Sequence, residues 1–151
     1  MPQLSLHSPI GDLTLSQADD AIVALDWGWG RDQQETALLR EARTQLFAYF
    51  DGELPDFDLP LSPHGTPFQQ RVWAALREIP YGATRSYADL AHALGTAPRA
   101  VGQATAANPI PILIPCHRVV ATGGLGGYSG GEGLATKRAL LDLEDRVGAL
   151  L

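Results

Sequence analysis

The sequence holds a single cysteine, Cys116, in 151 residues. That excludes an internal disulfide. With only His7, His64, His92 and His117 beside it, there is no Cys-x-x-Cys or His-x-x-x-His spacing for zinc, so no metal site is expected. No apolar run approaches the roughly 18 residues needed to cross a bilayer. Met1 leads into Pro2-Gln3-Leu4 without the basic segment and apolar core of a secretion signal, so a cytoplasmic location and no membrane partner are expected. Positive charge is also scarce: eleven Lys and Arg stand against seventeen Asp and Glu, a net charge of −6. The deficit is uneven. Residues 1–64 carry three cationic and eleven acidic side chains (−8), whereas residues 65–151 carry eight and six (+2). A face for DNA belongs in the second part, although an ordinary solvated surface can show the same asymmetry.

What is present reads as two unlike halves. Leu4-Ser5-Leu6, Leu13-Thr14-Leu15 and Ile22-Val23-Ala24-Leu25 are strand-like runs separated by Pro9-Ile10-Gly11-Asp12 and Asp19-Asp20, which have turn chemistry. They predict a small antiparallel meander. From Glu35 to Phe50, Leu38, Leu39, Ala42, Leu46, Tyr49 and Phe50 recur at three and four, an amphipathic helix. The stretch from Asp51 to Pro67 is too polar and too interrupted by proline for a regular element, and marks the domain boundary. Thr66-Pro67-Phe68-Gln69 then opens a helix with a capping hydroxyl, proline at the first helical position and a glutamine three residues after the cap; Phe68, Val72, Trp73, Leu76 and Ile79 form its apolar stripe. Ser86-Tyr87-Ala88-Asp89 opens another, closed by Gly95, and a small-residue helix runs from Pro98 to about Ala106. Two short helices joined by a glycine-containing turn outline a helix-turn-helix, a pattern shared with helical hairpins that only pack a core.

Asn108-Pro109 ends the last of these helices, and Ile110-Pro111-Ile112-Leu113-Ile114-Pro115 delivers Cys116-His117-Arg118-Val119-Val120. A lone thiol in a rigid apolar frame is ordinarily inert. Reactivity needs a base or a cation: His117 supplies one if the chain bends at Pro115 or a water bridges the two side chains, and Arg118 adds positive charge nearby. On a flat strand residues 116 and 117 would face opposite ways.

Pro115-Cys116-His117-Arg118-Val119-Val120, preceded by Asn108 to Ile114 and followed by Gly127-Tyr128-Ser129-Gly130-Gly131, resembles the signature of the O6-alkylguanine-DNA alkyltransferases. The likeness extends through Pro67-Phe68-Gln69, Val72-Trp73, Ile79-Pro80-Tyr81-Gly82, Ser86-Tyr87, Arg99-Ala100-Val101-Gly102 and Leu140-Leu141, covering about residues 66–144. It implies an α+β protein: an N-terminal sheet-and-helix domain over residues 1–62, ribonuclease H-like, and a mainly helical DNA-binding and alkyl-transfer domain over residues 63–151. It implies direct, stoichiometric transfer of an alkyl group from O6-alkylguanine in DNA to Cys116, without a cofactor, leaving O4-alkylthymine open as a second substrate. The expected partner is duplex DNA carrying alkylated bases, bound through the minor groove by a monomer.

The resemblance also implies roles. Arg99 fills the gap left by a flipped nucleotide, and Ala100, Gly102 and Ala104 are small enough to let the recognition helix approach DNA. Tyr87 meets the lesion's phosphate and the purine edge. Tyr128 and Ser129 cover the pocket, Pro111 lines its alkyl side, and the carbonyls of Cys116 and Val119 read the exocyclic amine. Asn108 is the hinge before the active-site segment. Glu144, in a last helix with Leu140 and Leu141 inward, relays through His117 and water to Cys116; a surface pair between Glu144 and an arginine would undo that assignment. Gln103, Thr105 and Ala106 depart from the glycine, methionine and arginine familiar in animal members, with the loss of one phosphate contact. Three other readings remain open on sequence: a non-catalytic binder of alkylated DNA, disfavoured because such relatives carry tryptophan in place of the cysteine; a helix-turn-helix regulator; and a cysteine hydrolase.

Overall fold

Leucines placed two apart in the first strands pair across a meander: Leu4 faces Leu15 and Leu6 faces Leu13, and Leu15 continues onto Leu25. The computed structural model describes residues 1–150, with side chains through Asp145. Strands β1 (Gln3–Leu6), β2 (Leu13–Ala18) and β3 (Ala21–Trp27) form an antiparallel sheet in that order. Asp19 turns the second hairpin in the left-handed conformation, φ 52°, which a short polar side chain tolerates. Helix α1 (Ala37–Phe50) starts two residues after Glu35, where the sequence places its beginning, because the Thr36 hydroxyl accepts from the Leu39 amide and fixes the cap there. Its Leu39, Ala42, Leu46 and Tyr49 are buried.

The proline-broken segment has no helix, as its composition requires, yet it is not a free linker. The Ile22 amide donates to the Pro60 carbonyl and the Ser62 amide to that of Ile22, at 2.9 and 2.8 Å, so residues 60–62 line the free edge of β3. Farther along the same strand, the Leu25 amide donates to the Pro109 carbonyl at 2.9 Å. An edge that would otherwise offer unpaired groups is thus covered by the linker and by the segment leading to Cys116. The buried apolar side chains form one cluster from Leu4 to Leu140, so the two halves share a core.

Helix α2 (Pro67–Arg77) carries the complete Thr66/Gln69 capping box, and its Trp73 indole donates to the Ala104 carbonyl at 2.8 Å. A two-residue strand β4 (Arg85–Ser86) leads into α3 (Tyr87–Leu94), capped by Ser86 with Asp89 and ended by Gly95 at φ 69°. Helix α4 (Pro98–Ala106) follows, completing the helix-turn-helix outline. Strand β5 (Val119–Val120) pairs in parallel with β4, Arg85 opposite Val119 and Ser86 opposite Val120. This pairing sets Tyr87 beside the cysteine segment. Helix α5 (Leu134–Leu150) closes the chain, with Leu140 buried and Leu141 half-buried. Among the described residues, no helix is long and apolar enough to cross a membrane.

Candidate active site

Pro115 supplies the bend that the cysteine segment needs. Its φ and ψ of −79° and 66°, with the Cys116 amide donating to the Ile114 carbonyl at 2.7 Å, form an inverse γ-turn, and one turn of 3-10 helix follows over Cys116–Arg118. The Asn108 side chain brackets the approach. Its Oδ1 accepts from the Ile110 amide at 3.0 Å and its Nδ2 donates to the Ile114 carbonyl at 2.9 Å. Within that bracket Ile112 is held at φ 74°, a conformation a β-branched residue adopts only when its surroundings impose it.

The bend parts Cys116 and His117. Cys116, 7% exposed, opens onto a cavity of about 300 Å³. Tyr87, Asn108 and Pro111 line the cavity from one side, Gly102, Thr105 and Ala106 of α4 from another, and Gly127 to Gly130 from the glycine-rich loop, which includes Tyr128 and Ser129. Gly126 is required where the loop crosses Tyr87: its φ is +76°, and a Cβ would lie 2.8 Å from the tyrosine ring. His117 turns the other way into the protein, where its Nε2 lies 2.6 Å from Glu144 Oε2.

Glu144 is 1% exposed and gathers donors. Its Oε2 accepts from the Tyr49 hydroxyl at 2.6 Å and from an Arg118 terminal nitrogen at 3.1 Å, and its Oε1 accepts from Arg118 Nε at 2.9 Å. Burial alone would raise the Glu144 carboxyl, but hydrogen bonds and charge from His117 and Arg118 outweigh it and hold the pKa at about 2. Glu144 is therefore a carboxylate, and His117 Nε2 must carry the proton between them. Burial lowers the His117 pKa, so its ring is neutral at physiological pH. Its Nδ1, buried and without a protein partner, is left as a free acceptor.

Arg118 departs from the expectation that it adds charge beside the thiol. Its guanidinium is spent on Glu144 and on the Ile79 carbonyl at 2.8 Å, on the side away from the cavity. The Glu144 and Arg118 pair is buried rather than superficial, and it leaves His117 its bond to the same carboxylate.

The cation near the thiol is Lys137, the chain's only lysine. It is 0% exposed and donates to the carbonyls of Val119, Leu125 and Gly127 at 2.6, 2.5 and 3.0 Å. It thereby ties the glycine-rich loop to the strand after Cys116. Burial pushes the Cys116 thiol up, against the pull of Asn108, Lys137 and Tyr128 beside it, so the resting sulfur is protonated. Lys137, Leu140 and Glu144 share the inward stripe of α5, which sets a cation and a carboxylate two turns apart on either side of the cysteine segment.

Two further expectations meet the geometry unevenly. Arg99 is exposed at the start of α4, Ala100 and Gly102 are half-covered, and Gln103, Ala106 and Ala107 are open. Ala104, however, is 3% exposed and faces the core with its carbonyl held by Trp73, so it is not on the helix face open to DNA. The Val119 carbonyl already accepts from Lys137.

Similarity to known proteins agrees with this arrangement over nearly the whole chain. Residues 67–146 match the model of the 6-O-methylguanine DNA methyltransferase DNA-binding domain, and residues 4–63 match that of the ribonuclease-like domain of the same proteins. The constitutive methylated-DNA–protein-cysteine methyltransferase of Bacillus subtilis is 46% identical, with 91% of this chain and 92% of that protein covered. The Methanosarcina acetivorans methylated-DNA–protein-cysteine methyltransferase is 45% identical, with coverage of 91% and 94%. Among solved structures, Mycobacterium tuberculosis OGT in complex with DNA superposes with a TM-score of 0.89 at 45% identity, covering 97% of this chain and 94% of that one. The chain belongs to the 6-O-methylguanine DNA methyltransferase family.

Proposed function

We propose that this protein repairs DNA by moving the alkyl group of O6-alkylguanine onto Cys116, once per molecule. The observation that carries the reading is the division of labour around the 3-10 turn. The thiol opens onto a cavity, while the adjacent His117 presents a free Nδ1 and is anchored through Nε2 to an ionised Glu144. A water between Nδ1 and the sulfur would pass the thiol proton to His117, and Glu144 would stabilise the imidazolium. The sulfur then attacks the alkyl carbon: one S–C bond forms as one C–O6 bond breaks. The proton lost by the thiol balances the one the purine gains on becoming guanine. No cofactor takes part, and the thioether leaves Cys116 spent.

The base would enter the cavity after leaving the duplex, at an unstacking cost of about a few kcal/mol. Arg99 would occupy its place, with the recognition helix α4 in the minor groove presenting Ala100, Gly102, Gln103 and Ala106. Tyr87, whose hydroxyl burial keeps protonated, would donate to the purine edge. Pro111 would border the alkyl group, Tyr128 and Ser129 would cover it, and the Cys116 and Val119 carbonyls would accept from the exocyclic amine. The protein would act as a monomer on duplex DNA.

Intact-protein mass after mixing with an O6-methylguanine oligonucleotide tests the reading. A gain of one methyl group, absent in Cys116→Ala, is expected; no gain at stoichiometric DNA refutes it. A regulator would bind without consuming its thiol, and a hydrolase would turn over.

A further inference from the structure

Trp27 ends β3 in the N-terminal domain, yet its indole lies against the loop that walls the cavity. A Cβ at Gly130 would lie 2.6 Å from the indole's six-membered ring, and one at Gly131 would lie 2.7 Å from the indole nitrogen. The indole thus lies directly against the backbone of both residues. It also meets Tyr128 edge-on, with centroids 6.3 Å apart and planes at 88°. The indole N–H donates to the Ile10 carbonyl at 3.2 Å, which ties the ring to the turn between β1 and β2. Tyr128 and Gly130 line the cavity, and the Tyr128 hydroxyl is buried against the Cys116 sulfur.

We infer that Trp27 is a positioning residue that backs the Tyr128–Gly131 wall of the cavity and limits the size of the alkyl group Cys116 accepts. The inference rests on the alkyl-transfer reading of that cavity. A substituent larger than methyl must press the wall outward, and the ring behind it is held by both the β1–β2 turn and the loop. Removing the ring opens space behind the wall without changing any group that lines the cavity. Space for a few carbon atoms in an apolar pocket changes relative rates by about tenfold or more.

The test is the rate of alkylation of Cys116 by O6-methylguanine and by O6-benzylguanine, each in the same oligonucleotide, for the parent protein, Trp27→Ala and Trp27→Phe. The benzyl-to-methyl ratio is expected to rise about fivefold or more in Trp27→Ala and to return most of the way in Trp27→Phe. Gly130→Ala, which pushes the loop from the indole side, is expected to lower it. If Trp27→Ala does not fold, Gly130→Ala decides through its lowered ratio. An unchanged ratio in folded variants overturns the inference, even if their thermal stability falls. Failure of the parent protein to take up methyl would instead overturn the reading beneath it.

Discussion

The Tyr49 hydroxyl, on the helix of the N-terminal domain, donates to Glu144 across 95 positions of sequence, at 2.6 Å and fully out of solvent. The same oxygen faces His117. A domain far from the thiol in sequence therefore sets how strongly the carboxylate draws on the histidine proton. In Tyr49→Phe the carboxylate loses one donor and becomes more basic, so protonated His117 is favoured. The limb of the pH-rate profile on which activity is lost as His117 becomes charged should move to higher pH. Stability should fall by about 1.5–3 kcal/mol, as for a hydrogen bond to a charged group. A profile that does not move would show that Tyr49 only packs.

Lys137 has two tasks that one substitution separates from the relay. Lys137→Met leaves the Val119, Leu125 and Gly127 carbonyls without their donor and removes the positive charge beside Cys116. The pH dependence of Cys116 alkylation by iodoacetamide should shift upward by about one unit or more. Alkyl transfer should slow in parallel. An unshifted iodoacetamide profile would refute the electrostatic half of this account.

DNA binding should be weakly salt-dependent for such a protein. Of the eight cationic residues in 65–151, Arg118 and Lys137 are buried and cannot meet phosphates. A plot of log affinity against log salt should have a slope of about −2 to −4, at roughly −0.9 per phosphate neutralised. Arg99→Ala should slow repair in duplex by about tenfold or more while leaving reaction with the free base within about twofold. Equal slowing of both would remove Arg99 from the flipping step.

Acid stability follows from the carboxylate. Because the folded Glu144 pKa is about 2, below the usual 4.5, its contribution to stability is present above pH 4.5 and is lost as pH falls towards 2. Glu144→Gln leaves Arg118 buried without its counter-charge, a loss of about 3–5 kcal/mol at neutral pH. The gap between the two proteins in urea denaturation should narrow between pH 5 and pH 3. A constant gap would mean that Glu144 is not ionised in the fold.

The elements were legible wherever a local rule governs them. Thr66 with Gln69, Ser86 with Asp89, and Gly95 act within four residues of sequence, and each stands where its chemistry indicates. The three side chains that bond Glu144 were legible only in part. His117 follows from the resemblance, but Tyr49 lies in the apolar stripe of α1, and nothing periodic reveals that its hydroxyl crosses to the other domain. Arg118 follows Cys116 in sequence, and proximity suggested the thiol; the 3-10 turn sends it to Glu144 instead. Ala104 belongs to a small-residue helix whose inward side is fixed by Trp73. Lys137 did leave a signal: it is the only lysine among eleven cationic residues, seven positions before Glu144 on the same helix face.

The inverse γ-turn at Pro115 has a chemical consequence beyond aiming the sulfur. It commits the Cys116 amide to the Ile114 carbonyl, at 2.7 Å. Cysteine hydrolases commonly rely on backbone amides of this kind to hold the oxyanion of an acyl intermediate. Here that donor is taken before any substrate arrives, and the sulfur has almost no contact with bulk solvent from which water could attack. The bend that points Cys116 at its substrate thus withholds the donor that acyl transfer would use, whereas displacement at an alkyl carbon forms no oxyanion and needs none.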